Sequence, residues 1–112
     1  MRIFYGHSAG RPEVAADFAV EASLETALAV LHSLETSRGF LGVILDDCST
    51  LQLLSQRKGM RIELLNTSRP AFDSCLAEVG FAEALLRAAA AGRDVFSVAR
   101  QERSDWEHTD LA

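Results

Sequence analysis

Thr50-Leu51-Gln52-Leu53-Leu54-Ser55-Gln56-Arg57-Lys58-Gly59-Met60-Arg61-Ile62-Glu63-Leu64-Leu65 is the stretch that decides the fold. Met60, Ile62 and Leu64 alternate with Arg61 and Glu63, the period-two pattern of a strand with one core face and one wetter face. Before it, Thr50 to Ser55 leads into Gln56-Arg57-Lys58-Gly59, a connection whose terminal glycine suits a hairpin turn with a bulge. The two runs therefore read as paired antiparallel strands.

Working outward, Phe40-Leu41-Gly42-Val43-Ile44-Leu45 is a continuous apolar run between Gly39 and the turn-prone Asp46-Asp47-Cys48-Ser49. Such a run predicts a strand buried on both faces and central in its sheet, with Ile44 in the core. Leu24, Ala27, Leu28, Leu31 and Leu34 recur at helical spacing, with Ser23 placed as N-cap and Glu25 in the first turn, so a helix ends near 37–39. Ile3 to Tyr5 reads as an opening strand closed by Gly6. Downstream, Asn66 to Pro70 is a loop, and the segment carrying Phe72, Leu76 and Val79 reads as a short helix or an irregular stretch broken at Gly80. A second helix covers Phe81 to Ala91, stopped by Gly92. Val95, Phe96 and Val98 suggest a closing strand.

The expected fold is α+β, an antiparallel β-meander packed against two or three helices in the order β-α-β-β-β-(α)-α-β. A chain of 112 residues fits one domain over 1–100. Residues 101–112 read as a polar C-terminal tail, loose unless a partner orders it.

Composition narrows the function. The formal charge of −5, with eleven scattered Lys and Arg, argues against direct nucleic-acid binding and favours a basic protein partner. Cys48 and Cys75 fit neither a disulfide framework nor a metal-ligand spacing, and read as free thiols. No apolar segment has the length of a membrane span or the form of a signal peptide, so cytoplasmic residence is expected. No metal or cofactor is expected.

Gly6-His7-Ser8-Ala9-Gly10 matches the G-x-S-x-G nucleophile elbow of hydrolases. Ser8 would be the nucleophile and His32 or His108 the base. The context opposes this, because only five residues precede Gly6 and the clear helix begins near Ser23, whereas the elbow needs a helix starting at its serine. Asp46-Asp47 could serve a hard cation or acid/base chemistry, but no further ligand stands nearby in the sequence.

Ala84 to Val98 resembles the closing helix, Gly-Arg turn and final strand of small bacterial toxin-immunity proteins; Asp94 stands where that pattern often has Pro. Thr50 to Leu54, Gly59 and Ile62-Glu63-Leu64 are similar to the paired strands of that group. The resemblance implies a non-catalytic protein that binds and neutralises a cognate toxin, one with a basic, nuclease-like domain on grounds of charge. Charge and expected exposure then select Asp46, Asp47 and Glu63 on the sheet and Asp105, Trp106 and Glu107 near the C-terminus as partner-binding candidates. The other readings are a small hydrolase using Ser8 and a homo-oligomeric accessory domain, such as a homodimer, pairing through its apolar sheet face.

Overall fold

A computed structural model describes residues 1–7 and 14–111. Seven strands form one sheet: β1 (Arg2–Gly6), β2 (Val20–Glu21), β3 (Phe40–Ile44), β4 (Ser49–Gln56), β5 (Gly59–Asn66), β6 (Ala71–Ala77) and β7 (Glu107–Asp110). Their spatial order is β2-β1-β3-β4-β5-β6-β7, and every pairing is antiparallel. The helices are α1 (Leu24–Ser33), α2 (Val79–Ala90) and α3 (Val95–Glu102). The expected α+β meander is present, with α1 packed on α2 and α2 on α3.

Directly paired residues share a face of a sheet, and this sorts the strand side chains. Ile3, Leu41, Val43, Leu51, Leu53, Ile62 and Leu64 project together into one buried cluster with Ala27, Leu31 and Leu34 of the α1 region and Ala82, Leu85 and Leu86 of α2. Phe40, Ile44, Leu54, Leu65, Phe72 and Leu76 project the other way and stand outside that cluster. The helices thus cover one face of the sheet.

Local chemistry explains the anchor points. Ser23 caps α1 by accepting the Thr26 N–H at 3.1 Å. At the β4–β5 turn Gly59 has φ +145°, a region that favours glycine, and a Cβ there would stand 2.8 Å from the Ala77 carbonyl oxygen. On the face away from the helices the Phe4 ring lies over Gly42, so β3 is buried on both sides only at its middle, and Ile44 is half-exposed outside the core.

Three segments differ from the sequence expectation. The stretch expected to be a short helix or irregular is strand β6; its core-side positions Cys75 and Ala77 are small and Asp73 is charged, which hides the alternation. The expected closing strand at Val95, Phe96 and Val98 is helix α3, capped by Asp94, which accepts the Ser97 N–H at 3.1 Å, and buried along Val95 and Ala99 at i,i+4 spacing. The residues after 100 have fixed places: α3 runs on to Glu102, and the strand that closes the sheet is the polar β7, paired with β6. A short strand, β2, also pairs with β1 where none was expected.

Candidate functional site

The C-terminal edge of the sheet gathers the densest set of charged side chains. It is built from the α3–β7 connection. Arg103 donates to both carboxylate oxygens of Asp105, at 2.9 and 2.8 Å, and its guanidinium lies over the Phe81 ring at 5.4 Å. The Trp106 indole N–H donates to the Arg103 carbonyl at 3.0 Å, while its ring tilts against Phe81. This aromatic and cationic knot sets the direction in which the chain enters β7.

Along β7, His108 pairs with Asp73 of β6. Its Nδ1 lies 2.6 Å from Asp73 Oδ1 and its Nε2 3.0 Å from Asp110 Oδ1. Carboxylate oxygens only accept, so the doubly protonated imidazolium is the form that satisfies both contacts. Hydrogen bonding to Asp73 first, and to Asp110 second, raises the His108 pKa above its ordinary value. Arg100 of α3 donates to the second Asp73 oxygen at 3.1 Å. Burial alone would raise the Asp73 carboxyl, but the bonds from His108 and Arg100 outweigh it and hold that group below the usual carboxylate range. A pocket of about 180 Å³ opens beside this cluster, with Asn66, Arg69 and Phe96 among its walls.

The cluster combines charge with an apolar wall. Cys75, next but one to Asp73, is buried and its thiol is pushed up by that burial. Ser74 is buried on the opposite face, where it accepts from Arg61. Among the described residues no group of three His, Cys, Asp or Glu side chains is placed to hold a metal ion. The contacts of His108 and Arg100 with Asp73 hold β7 and α3 to β6.

The sequence-selected residues fall in three places. Asp46 and Asp47 are exposed on the β3–β4 turn, Asp46 accepting the Cys48 N–H at 2.8 Å. Glu63 and Glu107 flank Ser74 in one row across the open face, but the Glu63 side chain is only 15% exposed and is held by Arg61 at 3.0 Å. Asp105 and Trp106 are engaged within the knot described above, so of the C-terminal three only Glu107 is both exposed and without a cation partner. Ser8 and the rest of its loop lie outside the described residues. Of the histidines once paired with it, His32 bridges Glu35 and Glu83, linking α1 to α2, and His108 is committed to Asp73 and Asp110.

Asp73 and Arg100 were missed in the sequence because each looks like an ordinary surface charge. Only the β6–β7 pairing brings them to His108. No protein-family model, curated protein or solved structure matches the chain. Among the described residues no helix is long and apolar enough to cross a membrane.

Proposed function

We propose that the chain is an immunity or inhibitor-type protein that acts without turnover, binding a cognate toxin and holding it inactive. The observation that carries this reading is the acidic edge strand. β7 is exposed at every residue, its outer backbone groups have no strand beside them among the described residues, and it presents Glu107 without a cation partner there, while Asp110 is engaged by His108. An exposed strand edge accepts an extended segment of a partner through main-chain hydrogen bonds, and its carboxylates favour a basic one, such as the cleft of a nuclease-like toxin. The fixed Asp73–His108 and Arg103–Asp105 contacts support the reading, because a strand already held in place loses less freedom on binding. In this reading the protein works in the cytoplasm, where Cys48 and Cys75 remain thiols.

The test begins with tagged protein purified from its host at moderate salt and identification of any stoichiometric partner. That partner should arrest growth when expressed alone and be tolerated when this chain is co-expressed. A partner whose toxicity is unaffected by co-expression would sink the reading.

A further inference from the structure

The sheet face turned away from the helices carries two apolar rows. Ile44, Leu65 and Phe72 lie toward the β3–β4 turn, and Phe40, Leu54 and Leu76 lie toward the β4–β5 turn, with Arg61 standing in that second row between Leu54 and Leu76. Leu76 is 44% exposed. Between the rows run Gln52, Glu63 and Ser74, where Arg61 neutralises Glu63 and donates to Ser74. A face with this much half-exposed apolar surface and a self-neutralised centre calls for a cover that is itself apolar.

The turns at the two ends of β4 differ in charge. Exposed Asp46 and Asp47 sit on the β3–β4 turn; exposed Arg38, Arg57 and Lys58 sit at the other end, and none of the five has an ion-pair partner among the described residues. At the cationic end a groove of about 370 Å³ opens, with Phe40 and Leu54 among its walls and Arg38 and Arg57 beside them. Charges of the other sign also stand at each end: exposed Arg2, beside Ile44 on the open face, and Arg69 of the β5–β6 loop at the aspartate end, and Glu78 after β6 at the other, with Arg93 and Glu35 in the helical layer.

We infer that a second copy of this chain covers this face through a twofold axis running across the strands. That axis reverses strand direction between the copies. It therefore lays the Ile44 row of one on the Phe40 row of the other, sets Phe72 against Leu76, and brings the Asp46-Asp47 turn to the groove between Arg38 and Arg57. Symmetry makes each of these contacts twice. A second copy brings Arg38 and Arg57 to Asp46 and Asp47, giving each turn the sign it lacks. Aligned sheets pack in this manner with their strands about 30° apart. Strands β3 to β6 offer roughly 300 Å² in projection per copy, from about 4.8 Å per strand and about 3.4 Å per residue. That is well under the roughly 800 Å² per partner of a standard interface, so the contact is a weak one and the dissociation constant is expected on the order of 100 µM. The outer edge of β7 stays free in both copies, so this inference stands apart from the toxin-binding reading.

Sedimentation equilibrium of the whole chain from about 1 to about 300 µM tests it across that range. The mass should rise from 12.2 kDa toward twice that value, less steeply at high salt. Asp46→Arg with Asp47→Arg, and separately Arg38→Asp with Arg57→Asp, should each keep the protein monomeric, and all four together should restore association. Leu76→Asp should weaken it tenfold or more. Circular dichroism verifies the fold of each variant, and the charged positions are exposed ones chosen to leave it intact. A wild-type chain that stays monomeric throughout overturns the inference, as do double variants that associate like wild type or a fourfold variant that does not recover.

Discussion

At Gly42 there is room for a hydrogen and nothing larger on the face away from the helices, because the Phe4 ring lies over it and Phe4 is itself only 8% exposed. A Cβ at that position would overlap the ring. Gly42→Ala should therefore destabilise the protein by about 1–3 kcal/mol, the usual cost of overpacking, as read by urea unfolding. His108 gives a second residue-scale expectation. A histidine whose pKa is higher in the folded than in the unfolded chain adds stability that is complete below its unfolded value, about 6.5. That stability is lost as pH rises through the folded value. Denaturant midpoints measured between pH 6 and pH 9 should fall for wild type and stay flatter for His108→Gln; parallel profiles would mean that the Asp73 and Asp110 contacts do not hold β7. Asp73 acts at the other end of the scale, since its lowered pKa adds stability above the ordinary carboxylate range that is lost as pH falls through it.

Elements were legible in the sequence wherever one face was apolar and the turn chemistry was explicit. The β4–β5 hairpin declared itself through Met60, Ile62, Leu64 and Gly59, and α1 through Ser23 and its leucine spacing. Adjacent residues of β3 separate the two faces cleanly: Val43 is fully buried toward the helices, while its neighbour Ile44 is half-exposed on the open side. Val43→Ala should lower stability by about 2 kcal/mol and Ile44→Ala by clearly less, a comparison that thermal unfolding can make. A reversed order would contradict the assigned faces. Ser23→Ala should cost about 0.5–2 kcal/mol through the lost N-cap, again measured by unfolding. The segment from Val95 to Val98 was read as a strand because three apolar residues in four satisfy either period. The Asp94 cap and the burial of Val95 with Ala99 decide for the helix. Strand β7 had no apolar signal to read, since its side chains are Glu107, His108, Thr109 and Asp110, and it exists by pairing with a strand some thirty residues earlier in the chain.

For the whole molecule, the surfaces were the least legible part of the sequence. Charge pointed to Asp105, Trp106 and Glu107, but the sequence could not tell that the first two are bound into the knot around Arg103 while the third remains open to a partner. If the acidic edge meets a basic toxin, Glu107→Lys should slow association roughly tenfold or more at low salt, and Trp106→Ala should act mainly through lost stability. Stopped-flow binding together with unfolding would separate the two effects, and a Glu107→Lys variant that binds at the wild-type rate would remove β7 from the interface.

The meander has one further consequence. From β3 to β6 each strand pairs with its neighbour in sequence, whereas β1 reaches β3 only across α1, and β7 reaches β6 only across α2 and α3. Short loops close with little entropic loss and long ones with more. The four-strand middle should thus assemble first, with β1, β2 and β7 docking after the rate-limiting barrier. Damage to β1 or β7 would then leave the folding rate nearly unchanged and appear as faster unfolding.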